Sequence, residues 1–176
     1  MHGPDPASGS QPEAVTAFIE IPSGSRNKYE LDHHTGQIVL DRMLFTSMRY
    51  PADYGFIEDT LARDDDPLDV LVFIGEPTFP GCRIKVRPIG VFWMTDEKGP
   101  DEKILAVPLR DPFFSHMEDI DDVLPDRRAE IEHFFETYKQ LEGFMIETEG
   151  FSGRDDAIAS IAAAHDRFVR AGGAAH

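Results

Sequence analysis

Six residues, Asp64-Asp65-Asp66-Pro67-Leu68-Asp69, place four carboxylates directly ahead of an apolar run, Val70 to Ile74. A short apolar run bounded by turn residues reads as a buried strand. Like charges this close repel, so holding them against a rigid strand needs a cation, a raised pKa or open water. Any fold for this chain has to meet that demand.

The rest of the chain supplies one domain in which to meet it. At 176 residues the sequence is long enough for a single sizeable core. Met1 to Glu13 is rich in Gly, Pro and Ser, without a basic start or an apolar core segment, and is expected to be a flexible tail rather than a signal peptide. The domain is expected over 14–172, with a short C-terminal tail over 173–176. A formal net charge of −16 argues against nucleic acid or an anionic membrane as partner. An anionic substrate could approach only if bound cations reversed the local field. Cys82 is the sole cysteine, which excludes an intrachain disulfide, a Cys-rich zinc site and a redox pair; a reducing, cytoplasmic setting is the simplest reading.

Val15 to Ile21 has strand composition and is closed by Pro22-Ser23-Gly24. Lys28 to Leu31 and Gln37 to Leu40 form a predicted hairpin, with Gly36 supplying a positive φ; Lys28 and Glu30, two apart, point the same way. Met43 to Ile57 is aromatic-rich and interrupted by Pro51 and Gly55. Further strands are expected at Val70 to Ile74, Ile84 to Met94 and Ile104 to Val107, the second bent or bulged at Pro88 and Gly90. Strands in succession without helices between them point to an antiparallel or barrel-like sheet. Apolar residues at three and four predict helices over 126–142, started by Pro125 and stopped by Gly143, and over 155–171, ended by Gly172. Ser152 with Asp155 resembles a capping box for the second.

Taken alone, an acidic run is usually a solvated turn. Here a second acidic cluster, Asp96 to Lys103, accompanies it, together with Glu20, Glu30, Lys28, Arg42, Tyr50, Tyr54, Tyr138 and Lys139. Oxygen-only ligands favour a hard cation such as Mg²⁺ or Mn²⁺. The EF-hand arrangement fails, because its Gly and Glu positions are not met and no helices flank the run.

These residues carry a family resemblance. Asp64-Asp65-Asp66-Pro67-Leu68-Asp69-Val70 is similar to the D-x-D-P-x-D-V signature of the soluble inorganic pyrophosphatases of the first family, short bacterial type. Ile19-Glu20-Ile21-Pro22, Arg26-Asn27-Lys28-Tyr29-Glu30, Asp41-Arg42, Tyr50-Pro51-Ala52-Asp53-Tyr54-Gly55, Met94-Thr95-Asp96-Glu97, Asp101-Glu102-Lys103 and His133-Phe134-Phe135-Glu136-Thr137-Tyr138-Lys139 follow that family's order, from about Phe18 to Phe168.

The resemblance implies an α+β, mainly β fold: a five-stranded OB-like antiparallel barrel with added hairpins and two helices in the C-terminal half. It implies Mg²⁺-dependent hydrolysis of pyrophosphate to two phosphates, with several ions per site and Mn²⁺ as a possible substitute. Asp64, Asp69 and Asp101 would hold one metal, and Asp69 would bridge to a second. Asp96, Asp101 and Glu30 would hold ions arriving with substrate. Asp66 would be the general base toward water trapped between metals. Lys28, Arg42 and Lys139 would contact phosphate oxygens, while Lys103, Tyr54 and Tyr138 would complete the leaving phosphate's surroundings. Glu20, Tyr50 and Glu97 would support these groups from behind. Asp65 is left spare.

Each assignment has a plainer rival: core packing for Tyr138 and Tyr50, a helix-end cation for Lys139, solvated turn residues for His33 and His34. His133 matches a position where trimers meet in hexameric relatives. Thr137 replaces the second histidine found there, and a homohexamer, a dimer of trimers, remains the expectation. Gly143-Phe144-Met145 departs from the family's Gly-Lys-aromatic segment. Other readings of the residues are a metal-binding domain without turnover and a hydrolase of nucleotides or organic phosphates; the second is disfavoured by the lack of a Gly-rich phosphate loop.

Overall fold

In the computed structural model, which describes residues 14–173, the demand set by the acidic run is met by a closed ring of strands. The tail expected over 1–13, and the last three residues of that expected over 173–176, lie outside the described residues. The strands are β1 (Val15–Ile21), β2 (Asn27–Asp32), β3 (Gln37–Met43), β4 (Asp53–Ile57) and β5 (Asp69–Val72), then β6 (Arg83–Asp96), β7 (Gly99–Pro100), β8 (Lys103–Pro108) and β9 (Glu147–Gly153). Helices α1 (Pro125–Thr137) and α2 (Arg154–Arg170) fall in the C-terminal half.

Around the ring β1 pairs with β4, β4 with β5, β5 with β8, β8 with β6, and β6 returns to β1. This is the expected five-stranded, mainly β barrel, and β2 and β3 form the added hairpin. Four of the ring's pairings are antiparallel. The fifth, β5 with β8, is parallel, because the chain crosses through β6 before it comes back beside β5. β6 is long enough to serve several partners: β1 and β8 along its first part, β9 and β7 toward its end. Its register shifts between Pro88 and Gly90, where the sequence predicts a bulge.

The two-residue alternation of the central strands divides the core. Leu71, Phe73, Leu105 and Val107 join Ile131, Phe134 and Phe135 of α1 in one cluster. Val70, Val72, Ile104 and Ala106 join Ala157 and Ala164 of α2 in the other. Both faces are buried, which explains why β5 reads as an unbroken apolar run.

Two local expectations are corrected. The first helix ends at Thr137, not Glu142: the backbone opens at Lys139 (φ −109°), and Gln140–Glu142 forms a separate 3-10 turn closed by Gly143 at φ 88°. Ser152 does not cap α2. Its hydroxyl accepts the Trp93 indole N–H at 2.5 Å; the N-cap is Gly153, and the leading amide of the helix, Arg154 N, donates at 3.1 Å to Asp119 Oδ1, which also accepts from Ile120 N at 2.7 Å. Asp65, the spare carboxylate, is exposed and lies in the left-handed region at φ 66°, a conformation that Asp tolerates better than most residues.

β4 and β9 have no counterpart among the strands read from sequence. In β4, Gly55 looks like a strand breaker, yet it is required: a Cβ there would sit 1.8 Å from the carbonyl oxygen of Phe18 on β1. Gly55→Ala must therefore part β1 from β4, and we expect a loss of about 3 kcal/mol or more by overpacking. Urea unfolding with an unchanged midpoint would show that this close approach is dispensable.

Candidate active site

β5 and β8 run parallel and in register, so the residues that open them stand side by side. Asp69 begins β5 and Lys103 begins β8. The ammonium of Lys103, 2% exposed, lies 2.6 Å from Asp69 Oδ2 and 2.9 Å from Asp101 Oδ2. From β4, Tyr54 donates its hydroxyl hydrogen to Asp69 Oδ2 at 2.8 Å, while its oxygen accepts from Lys103 Nζ at 2.8 Å. The rings of Tyr54 and Phe135 lie 5.3 and 5.5 Å from the ammonium, adding aromatic faces to its surroundings.

This group forms the floor of a cavity of about 310 Å³. The cavity is lined by seven carboxylates, those of Glu20, Glu30, Asp64, Asp66, Asp69, Asp96 and Asp101, against four lysines, Lys28, Lys98, Lys103 and Lys139. Tyr54 and Tyr138 complete the wall. In the acidic loop, Asp64 Oδ1 accepts from Asp66 N at 3.1 Å, which folds the run back on itself. Among the described residues, no three acidic, His or Cys side chains converge tightly enough to hold an ion as they stand. Lys103 occupies the space between Asp69 and Asp101.

Twelve of the residues expected at the site line this one cavity: Glu20, Lys28, Glu30, Tyr54, Asp64, Asp66, Asp69, Asp96, Asp101, Lys103, Tyr138 and Lys139. Three do not. Tyr50 lies behind the wall, 2% exposed, its ring 5.4 Å from Tyr54 and 4.8 Å from Phe134. Glu97 is exposed and accepts from Lys139 Nζ at 3.4 Å. Arg42 is turned to Asp41 and to Glu142. Sequence reasoning missed Lys98 and His33 as lining residues; His33 also packs its ring 5.6 Å from Phe56. Nothing in the spacing marked them, since both sit in turns. A second cavity of about 400 Å³ adjoins this one and shares His33, Phe56 and Asp66, but Phe18, Leu61 and Phe168 make its walls mainly apolar.

The electrostatics follow from crowding. Burial pushes Asp69 above the ordinary carboxylate range, with Lys103 opposing and Asp101 adding to the shift. Burial likewise raises Asp64, helped by the charges of Asp66 and Asp101. Glu20, which accepts from Leu31 N at 2.8 Å, is raised to about 7 by burial and by Asp69. Burial opposes the charge on Lys103, yet Asp69, Tyr54 and Asp101 outweigh it and hold the ammonium well above its usual pKa. Burial also keeps the Tyr54 and Tyr138 phenols protonated.

The donor set fits hard divalent cations: all its ligands are carboxylate oxygens, in excess over the amines, and burial holds three of them, Glu20, Asp64 and Asp69, above the ordinary carboxylate range.

A closed barrel with this carboxylate and lysine cavity at its strand ends defines an enzyme site built for a phosphate-like anion. The comparisons with known proteins make that particular. A family model described as inorganic pyrophosphatase matches residues 17–169. The chain is 57% identical to the inorganic pyrophosphatase of Streptomyces coelicolor over 156 residues, covering 88% of this chain and 96% of that one. It is 52% identical to that of Methanosarcina acetivorans, over 89% of this chain and 94% of the other. The crystal structure of the Thermus thermophilus inorganic pyrophosphatase superposes with a TM-score of 0.88 at 43% identity, covering 94% of this chain and 97% of that one. The chain belongs to the inorganic pyrophosphatase family, enzymes that hydrolyse pyrophosphate.

The raised Glu20 pKa gives a signed prediction. A carboxyl with a folded pKa near 7, against 4.5 unperturbed, contributes stability that is complete below about pH 4.5 and lost as pH rises through 7. In chelator, without metal, the protein should lose about 3 kcal/mol more between pH 4.5 and 8 than Glu20→Gln, at roughly 1.4 kcal/mol per pKa unit. Urea unfolding curves of the two proteins that shift in parallel with pH would contradict this.

Proposed function

We propose that this chain, over residues 14–172 as a single catalytic domain, hydrolyses inorganic pyrophosphate to two orthophosphates with Asp66 as general base. The observation that carries the reading is the shared cavity, in which every lysine expected to contact substrate is already bonded to a carboxylate. Lys28 meets Glu30 and Asp41, Lys103 meets Asp69 and Asp101, and Lys139 meets Glu97 at 3.4 Å and Asp96 at 4.0 Å. Carboxylates taken up by cations would leave these amines free for the anion.

Asp64, Asp69 and Asp101 would hold a divalent cation, with Asp69 bridging to a second and Asp96, Asp101 and Glu30 holding ions that enter with substrate. Mg²⁺, or Mn²⁺ in its place, supplies Lewis acidity that makes water a nucleophile near neutral pH. Asp66 lines the cavity on an exposed loop and takes the proton of the attacking water. Lys28 and Lys139, with Arg42 once released from its carboxylates, bind phosphate oxygens. Lys103, Tyr54 and Tyr138 remain protonated donors at working pH, so they stabilise negative charge as it develops on the leaving phosphate. Tyr50 and Glu97 act through Tyr54 and Lys139 respectively. Glu20 positions the β2–β3 hairpin through Leu31.

The same reading places the protein in the cytoplasm, working as a homohexamer on pyrophosphate and phosphate, without nucleic acid or membrane. Among the described residues no helix is long and apolar enough to cross a membrane.

Phosphate release from pyrophosphate with Mg²⁺ should stop in excess chelator, and Asp66→Asn should lower kcat by about 10²- to 10⁴-fold. Comparable turnover of nucleotides under Mg²⁺ alone would argue against pyrophosphate as the specific substrate. Asp69→Asn, which keeps an acceptor for Tyr54, should weaken Mg²⁺ binding in calorimetry by at least tenfold; unchanged affinity would remove Asp69 from the metal set.

A further inference from the structure

Arg42 is the one cation of the expected substrate set that does not line the cavity. Its partner is Glu142, carried on the 3-10 turn that follows Lys139 directly. Arg42 Nε lies 2.6 Å from Glu142 Oε1, with the two side chains 26% and 10% exposed. The contact is close and one-sided. The close contact engages Oε1 alone, and Glu142 Oε2 is buried without a hydrogen-bond partner among the described residues. Asp41 takes the other side of the guanidinium at Nη1 and also reaches Lys28 at 3.2 Å.

A guanidinium binds best through parallel N–H groups, and a phosphate offers two or three oxygens to such a fork. The Glu142 contact uses one N–H of the fork and leaves the second carboxylate oxygen without a partner among the described residues. Glu142 thus holds Arg42 away from the cavity through a single close contact, where a phosphate could engage two parallel N–H groups. The turn that carries Glu142 is lightly anchored: Leu141 is 75% and Met145 82% exposed, and Gly143 reverses the chain between them. Its N-terminal neighbour, Lys139, is itself a cavity residue, so displacement of Glu142 and engagement of Lys139 occur on one short segment.

We propose that Glu142 is a positioning residue that stands in for a substrate phosphate on Arg42, so that substrate affinity is set by competition between this carboxylate and the phosphate for one guanidinium. The proposal rests on the reading of Arg42 as a phosphate contact. Glu142 does not line the cavity. Its effect falls on binding of substrate and product rather than on the chemical step.

Steady-state kinetics of Glu142→Gln, Arg42→Ala and the double variant, with phosphate inhibition measured for each, test it. Glu142→Gln should lower KM for magnesium pyrophosphate and the inhibition constant for phosphate, each by about threefold to tenfold, with kcat changed less than either. Arg42→Ala should raise KM, and Glu142→Gln should have no further effect in its presence. If Glu142→Gln leaves both constants unchanged, or raises KM, while Arg42→Ala still raises KM, the competition proposal is overturned and Arg42 keeps its role. If Arg42→Ala leaves KM and phosphate inhibition unaltered, the reading of Arg42 itself fails. Glutamine is isosteric with glutamate, and thermal unfolding of the variant checks that the turn is retained.

Discussion

The ammonium of Lys103, shared between Asp69 and Asp101 and closed in by Tyr54, is the interaction on which the site depends. Burying a lone lysine or a lone aspartate here would cost several kcal/mol, and each offsets part of the other's penalty because their strands begin at the same level. That alignment comes from the single parallel pairing of the barrel. With β5 and β8 antiparallel, the first residue of one would lie at the far end of the other, and the cluster of Asp69 with Lys103 could not form. The topology of the sheet is thus an electrostatic arrangement as well as a packing one.

The same exchange of charges extends outward to the cavity rim. Lys28, Lys139 and Arg42 are each held by acidic partners, so the protein presents neither a bare positive pocket nor a bare negative one. This reconciles a net charge of −16 with an anionic substrate. The charges stand in neutralised pairs, so filling the pocket with cations and an anion would exchange one set of partners for another.

Much of this was legible in the chain. β1 was read with its observed bounds, the β2–β3 hairpin and its Gly36 turn from residue type, and the bulge of β6 from Pro88 and Gly90. Two strands were hidden for physical reasons. β4 depends on a glycine that only a neighbouring backbone explains, and β9 (Glu147–Gly153) is polar and glycine-containing, made a strand by pairing along β6. Most site residues could be named because their types and order are distinctive. What could not be read was the orientation of Arg42, because its partner Glu142 is a hundred residues away in sequence and lies on a turn that the apolar periodicity runs straight through. The cap of α2 was misread for a related cause. Ser152 had the right spacing locally, but a tryptophan across the sheet claimed its hydroxyl and left the leading amide of the helix to Asp119.

Asp119 couples parts of the molecule that no strand joins. One oxygen of its carboxylate caps both the 3-10 turn at Ile120–Asp122 and the start of α2, and a Cβ on Gly153 would come within 2.8 Å of that oxygen. The leading amide of α2 and that of the turn preceding α1 therefore share one acceptor. The two helical elements pack on opposite faces of the sheet, so the loss of this one carboxylate would leave an unbonded leading amide on each side of the barrel.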